Sequence, residues 1–525
     1  MNLYSEYYGK VLINRQNFEN LLLRLQQEQC FEQKVKIAEC AAKYFVYNHT
    51  GYFTSSVLES FFVGFARQIK VDLSEINYKK NTFLHVLTEG HNTGGHTRVV
   101  ERWIDHAPSD QTHSVAVIQP VEEKLTLLEK AVASKHGEYV CFDNNLSIQE
   151  KVIKLRLLAM TCEYIVLHTH MEDPTPLIAF GCEDFTRPVL LYNHASHMPW
   201  LGLAVSDLIL DLNEYDEITS KMRNVSKTFH LGVPCSQIVF SDVDKTVARQ
   251  HLKLPIDKKI IVTSGSGFKY RTICGYSFAE YIKQIIDDDV ICYAIGIEPD
   301  NPEWKRAEVE SDGRIVPLGY IGFNNGYMDY LAAADLYLDS YPIGGYAATI
   351  DAISVGVPVV SLKSTFPQMN YLMKTSAYCQ SVEEFICKAK KVLSDRTYAN
   401  ELYEELKISL LKHQSKEAWN ERIETLLRIA PENHKVRDMS NCSDHVEIND
   451  YSVANNVMYN SKFLEKNSVK LLSDNELDHL IEYGALYKRK KLLGFIEISN
   501  YRKNHFKTKV VKVFGMTVCR YTKKC

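Results

Sequence analysis

The sequence predicts an α/β protein with two consecutive doubly wound parallel sheets, an N-terminal helical region and a basic C-terminal extension. Three observations lead there. From Thr82 onward, short apolar runs rich in β-branched residues alternate with helical segments, the pattern of strand and crossover helix. The series breaks off in the acidic and polar stretch near Ser241–Lys258 and then begins again. The chain also has 525 residues, more than one hydrophobic core usually organises.

Residues 1–80 read as helical. Ile37, Ala41, Tyr44 and Phe45 recur at helical spacing, and Asn48-His49-Thr50-Gly51 stops the run. Ser56-Val57-Leu58-Glu59 has the form of a capping box that opens the next helix. No residue pattern here points to chemistry, so a packing or docking role is expected. Residues 81–245 carry the first strand series: Phe83–Leu87, Val115–Ile118, Tyr139–Phe142, Tyr164–Leu167, Val189–Tyr192 and Leu208–Leu210. Residues 246–435 carry the second: Ile260–Thr263, Ile291–Ile295, Arg314–Pro317, Leu336–Leu338 and Pro358–Leu362. Two such units in succession imply a cleft between them. Ligands of these sheets sit at the carboxyl ends of the strands, so chemistry is expected there.

Residues 436–525 begin with a polar, Asn- and Ser-rich segment that reads as a linker. From Lys488 to Cys525, twelve Lys or Arg stand against the single Glu497. The whole chain is otherwise ordinary: 45% hydrophobic, 24% charged and a net charge of −4, which excludes general polyanion binding and gives no reason to expect a nucleic-acid partner. The start, MNLYSEYYGK, lacks the pattern of a secretory signal, and no apolar run approaches the roughly 20 residues that span a bilayer. The 13 cysteines are scattered without a CxxC pair, as reduced thiols of a cytosol would be. A cytoplasmic protein is expected, its basic tail either touching an anionic membrane at the inner face of the plasma membrane or forming a solvated charged appendage or a self-docked strand pair.

Four constellations fall at strand ends. Thr88 to Arg98 contains Gly94-Gly95 flanked by His91, His96 and Arg98; the glycines admit close backbone approach and the following helix start favours negative charge. His168-Thr169-His170 and Asn193-His194-Ala195-Ser196-His197 follow two later strands. A histidine in that position suits proton abstraction, while the absence of a carboxylate at helical spacing makes a metal site unexpected. Ser264, Ser266 and Lys269, in a Gly- and Ser-rich turn, form a diphosphate cradle without the P-loop signature. The last constellation runs from the strand end at Asp339 through Gly344-Gly345 into a helix carrying Thr349 and Asp351, and Gly356-Val357-Pro358 then leads into the next strand. Its helix start would face an anion, and Asp351 offers a carboxylate able to accept both hydroxyls of a ribose.

Gly344-Gly345…Thr349-Ile350-Asp351-Ala352 resembles the donor-binding signature of GT-B glycosyltransferases, in particular the Gly-Gly-Thr-Thr-Thr-Leu-Asp-Ala element of the O-GlcNAc-transferase-like group. The Gly94-Gly95 turn and His194 are similar in position to the glycine loop and cleft histidine of retaining GT-B enzymes, and Lys269 to their phosphate-binding cation. The resemblance covers roughly residues 82–431. It implies two facing Rossmann-like domains and a nucleotide-sugar donor, UDP-sugar by default. Gly344, Gly345 and Thr349 would then hold the diphosphate, Asp351 the ribose and Lys269 the phosphates, with His194 facing the sugar. It implies no cofactor and no metal. Retaining members place a Glu eight residues before the ribose carboxylate; Ile343 stands there, which favours inversion. In that case His96, His170 or His194 deprotonates the hydroxyl of a saccharide, lipid-linked saccharide or protein acceptor. The tail Lys512–Val518 resembles endings of bacterial surface-polysaccharide and lipopolysaccharide glycosyltransferases. A nucleotide-sugar 2-epimerase and a non-catalytic sugar-binding protein are the alternatives.

Overall fold

A computed structural model of the chain describes residues 5–91, 95–121, 124–212, 217–225, 227–235, 238–241, 244–272, 277–322, 325–364, 370–440, 442, 444, 470–483, 487–492, 496–503, 506–513 and 516–524. Helices α1 (Ser5–Gln27), α2 (Phe31–Tyr47) and α3 (Ser56–Ala66) open it. Helix α2 ends where Asn48 interrupts the run, and its Ile37, Ala41, Tyr44 and Phe45 are buried. The expected capping box does not form, and the cap itself lies one residue earlier. Ser55 caps α3 by accepting from Leu58 N, while Glu59 turns inward and accepts from the N–H groups of Gly202, Leu203 and Ala204 at 2.8, 3.2 and 2.8 Å. Three donors at a 3-10 turn outcompete one reciprocal bond at the helix start, because a buried N–H without a partner is expensive.

The first sheet contains β1 (Thr82–Leu87), β2 (Thr112–Val117), β3 (Tyr139–Cys141), β4 (Tyr164–His168), β5 (Val189–Tyr192), β6 (Leu208–Asp211) and β7 (Thr228–His230). All pairs are parallel, in the order β3-β2-β1-β4-β5-β6-β7. The second contains β8 (Lys259–Ser264), β9 (Val290–Ile295), β10 (Ile315–Gly319), β11 (Leu336–Leu338), β12 (Val359–Leu362) and β13 (Tyr378–Cys379), in the order β10-β9-β8-β11-β12-β13 and again parallel. This is the paired doubly wound architecture of the GT-B fold. The order reverses between β1 and β4, and between β8 and β11. Those switch points open a crevice at the carboxyl ends of the strands.

Each sheet has its own core. Ile260, Val262, Leu336, Leu338 and Val360 are fully buried in the second; Leu84, Val86, Ile165 and Leu191 join α2 and α3 in the first. The chain crosses back between them. The helix Lys416–Ile429 follows the second sheet in sequence, yet Trp419, Ile423 and Leu426 pack with Phe83, Trp103 and Leu210 of the first.

The expected linker is anchored at its start. Met439 is buried in the first core, and the Asp444 carboxylate accepts from Ser56 N and Oγ. The helix Asp474–Tyr483 then returns to α1, where Arg24 pairs with Asp474 and Asp478. The basic tail forms a four-stranded antiparallel meander of β14 (Tyr487–Leu492), β15 (Ile496–Lys503), β16 (Phe506–Val513) and β17 (Met516–Lys524). Among the described residues, no helix is long and apolar enough to cross a membrane.

Candidate active site

At the carboxyl end of the first sheet, β1 leads through Thr88 toward α4 (Gly95–His106). Thr88 Oγ1 donates to Asp173 Oδ2 at 2.6 Å and accepts from His170 N at 2.9 Å, which fixes the loop after β4 against the loop after β1. Gly94 lies outside the described residues. Gly95 is the first residue of α4, and His96 follows it on the first turn. His96 stacks on His194, with ring centroids 4.0 Å apart and planes at 24°, and meets His170 edge-on at 6.1 Å. The three histidines expected from sequence therefore come from three separate strand ends and lie together. A small concavity beside them is lined by His170, His194, Asn193, Tyr192 and Trp200, among others.

Burial is the main influence on these imidazoles. It lowers His96 to about 4, with the positive charge His170 and His91 would carry acting in the same direction. His194 is lowered by burial first and then by His96 and His168. Both rings are neutral near pH 7 and carry a lone pair able to take a proton.

Behind His194 stands a row that sequence reasoning missed. His194 Nε2 meets His168 Nδ1 at 2.9 Å, and His168 Nε2 meets His85 Nδ1 at 3.1 Å. His85 Nε2 in turn meets His113 Nδ1 at 3.0 Å, and His113 Nε2 meets Gln111 Oε1 at 3.2 Å. His85, His113 and His168 are fully buried. Parallel register puts Phe83 opposite His113 and Leu87 opposite His168, so the row climbs diagonally over one face of the sheet toward its carboxyl edge. Trp103 of α4 covers it, edge-on to His85 and His168. The available signal was histidine at inward positions of otherwise apolar strands.

In the second sheet the turn after β8 lies against the loop after β11. Lys269 Nζ donates to Gly344 O at 3.0 Å, and Ile343 N donates to Lys269 O at 3.3 Å. Burial lowers the Lys269 ammonium, while the Asp339 carboxylate raises it. Asp339 is buried at the end of β11 and accepts from Gly345 N at 2.6 Å and Ser361 Oγ at 2.9 Å. Burial raises its carboxyl to about 6 against those bonds and the Lys269 charge.

Glycine is needed where the turns crowd. A Cβ on Gly296, whose φ is +88°, would sit 2.3 Å from the Gly265 carbonyl oxygen. Ile343 is buried beneath this loop and its carbonyl accepts from Ser340 Oγ.

Two expected hydroxyls are engaged inside the fold. Ser264 Oγ bonds the Tyr327 and Tyr337 hydroxyls at 3.2 and 2.9 Å. Thr349 Oγ1 donates to Gly345 O and Tyr346 O and contacts the Tyr371 hydroxyl. The hydroxyls of Ser264 and Thr349 are thus committed within the fold. Ser266 is exposed just ahead of the Lys269 turn. The helix Ala347–Ser354 has no side-chain cap, so its first-turn N–H groups are open to an anion.

The two halves touch. Tyr346 OH donates to Gln414 Oε1 at 2.8 Å and to Val233 O at 3.3 Å. Asp351, raised to about 6 by burial, is drawn down by Arg102, which lies on the same α4 helix as His96. Among the described residues, no group of three or more His, Cys, Asp or Glu is placed to hold a metal ion.

No family model matches the chain, and no curated protein matches it. Among solved structures it is similar to HepE of Anabaena in complex with UDP and glucose, at 14% identity over 66% of this chain and 99% of that one, with a TM-score of 0.48. It is similar also to a Thermobaculum terrenum O-GlcNAc transferase mutant, at 13% identity over 81% and 83% of the two chains, with a TM-score of 0.47. A third is sucrose-phosphate synthase of Thermosynechococcus elongatus, at 12% identity over 66% and 98%, with a TM-score of 0.44.

Proposed function

We propose that the chain is a glycosyltransferase that moves a sugar from a nucleotide-diphosphate donor, a UDP-sugar, to an acceptor hydroxyl. One observation carries the reading: Tyr346, the residue before the helix that carries Asp351, reaches Val233 O of the first strand series at 3.3 Å, and Arg102 draws the Asp351 carboxyl down from the helix that also carries His96. Arg102 and His96 are six apart, or roughly 9 Å along the helix axis. The histidine cluster and the proposed ribose carboxylate therefore border one crevice.

The donor diphosphate would lie on the open N–H groups of the helix Ala347–Ser354, with Gly344-Gly345 allowing close approach. Lys269 would leave the Gly344 carbonyl for the phosphates, and Asp351 would accept from the ribose. In the transfer step the acceptor oxygen bonds to the anomeric carbon as the bond from that carbon to the phosphate oxygen breaks. The nucleoside diphosphate leaves as an anion stabilised by Lys269 and the helix dipole. The acceptor proton passes to the free nitrogen of His194, with His96 stacked on it and His170 at the edge, and the configuration inverts. Approach of the diphosphate anion raises the affinity of His194 for that proton.

We place the reaction in bacterial surface polysaccharide, lipopolysaccharide or glycoprotein synthesis. The basic meander would rest on an anionic leaflet, each Lys or Arg near it contributing about 1 kcal/mol.

Isothermal titration with UDP and a UDP-sugar panel tests the donor half. Asp351→Ala and Lys269→Ala are each expected to weaken binding at least tenfold, and unchanged affinity in both would sink the assignment. Mass and stereochemical analysis of donor incubated without acceptor separates hydrolysis from epimerisation. A changed sugar configuration without cleavage would favour the 2-epimerase.

A further inference from the structure

The histidine row has a direction. A neutral imidazole has one N–H and one bare nitrogen, so in a chain of them every ring must donate the same way. An amide oxygen only accepts. Gln111 Oε1 at 3.2 Å from His113 Nε2 therefore places the proton on that nitrogen and leaves His113 Nδ1 bare. His85 must then donate from Nε2 to His113, His168 from Nε2 to His85, and His194 from Nε2 to His168, over contacts of 3.0, 3.1 and 2.9 Å.

We propose that Gln111, His113, His85 and His168 are positioning residues that fix His194 as its Nε2–H tautomer, leaving its Nδ1 bare for the acceptor hydroxyl. This rests on the reading of His194 as the base. Among the described residues no side chain bonds that Nδ1, and His194 lines the concavity.

The row is unsuited to carrying a proton away, because its far end is an amide that does not bind one near pH 7. Its suitable work is orientation. When His194 takes the acceptor proton at Nδ1, the resulting imidazolium still donates from Nε2 to His168, and the aligned N–H groups behind it stabilise the charge. Burial keeps the internal rings neutral, lowering His85 to about 3 and His113 and His168 well below the ordinary value. Gln111 is the one member able to reverse the chain, since rotating its amide would present a donor to His113.

The test uses full-length protein with 15N-labelled histidine, in which long-range proton–nitrogen correlation identifies each tautomer. His194 is assigned by loss of its signals in His194→Gln. Wild type and Gln111→Glu, whose carboxylate only accepts, are expected to show His194 with its proton on Nε2. In Gln111→Lys, whose ammonium only donates, the proton should move to Nδ1 and kcat should fall at least tenfold with the donor KM unchanged. Should that variant fold poorly, His113→Phe removes the anchor and is expected to show both tautomers at His194. A wild-type His194 protonated on Nδ1 overturns the proposal, as does one tautomer persisting in every folded variant. A tautomer that switches while kcat stays constant keeps the row and removes His194 as the base.

Discussion

Cutting the row at His85 gives a stability change whose size follows from the geometry. His85→Leu removes both partners at once, leaving His113 Nδ1 and His168 Nε2 unpaired beneath Trp103. Each buried polar atom left unpaired costs about 1–3 kcal/mol, and leucine returns part of that by burying more apolar surface, for a net loss of about 2–4 kcal/mol at pH 7.5. Urea unfolding followed by tryptophan fluorescence reads it, because Trp103, Trp200 and Trp419 lie in the first domain and Trp304 in the second. At an m-value of about 2–3 kcal/mol/M the first-domain midpoint should drop by about 1 M. The acid limb gives an independent check. His85 is lowered to about 3 in the folded chain and titrates near 6.5 once unfolded. The unfolded state thus binds the extra proton between those values, so the stability contribution is full above pH 6.5 and is lost as pH falls toward 3. Wild type should lose about 1.4 kcal/mol per pH unit more than His85→Leu across that window. Midpoints within about 0.5 kcal/mol at pH 7.5, with parallel acid limbs, would refute the hydrogen-bonded row.

Two further outcomes follow from the packing. Trp419→Ala should destabilise the first domain by about 3–5 kcal/mol, because the helix that carries it completes that core; hydrogen exchange should quicken in β1 and β4 and leave β8 and β11 unchanged. Gly296→Ala should weaken UDP-sugar binding at least tenfold by calorimetry, since its methyl would meet the Gly265 carbonyl and displace the Lys269 turn. Retained affinity would show that the two turns can separate without harm.

The central strands were legible because each is a short run of β-branched and apolar residues bounded by turn formers, and burial on both faces keeps such runs continuous. The strands that escaped notice are edges. β7 is Thr-Phe-His and β13 is Tyr-Cys; strands that short, covered on one side only, have no periodicity to display. The meander of the tail was hidden differently, since its apolar residues stand among many Lys and Arg and read as charge before they read as β-structure. The helix Lys416–Ile429 shows an amphipathic stripe in sequence, but a stripe does not name its partner. Only the fold shows that Trp419 meets Trp103, at 5.4 Å between rings.

The site divides along the same line. Gly344-Gly345, Lys269 and Asp351 stand out in the sequence as candidates because a helix start, a glycine turn and a nearby cation are local features. Ser264 and Thr349 carried the right functional groups, yet the tyrosines that occupy their hydroxyls, Tyr327, Tyr337 and Tyr371, come from elsewhere in the chain. His85 and His113 had the opposite fate. Each sits alone in an apolar strand, where a lone histidine reads as core. The order β2-β1-β4-β5 is what converts four isolated rings into a row. Strand order is set by crossover connections, not by any strand's own residues, so a function spread across neighbouring strands stays invisible until the sheet is assembled. Three buried imidazoles each need a partner on both nitrogens, and a chain of donors with one polarity supplies all of them. The arrangement that satisfies the core is thus the same one that leaves a single nitrogen, His194 Nδ1, for the crevice.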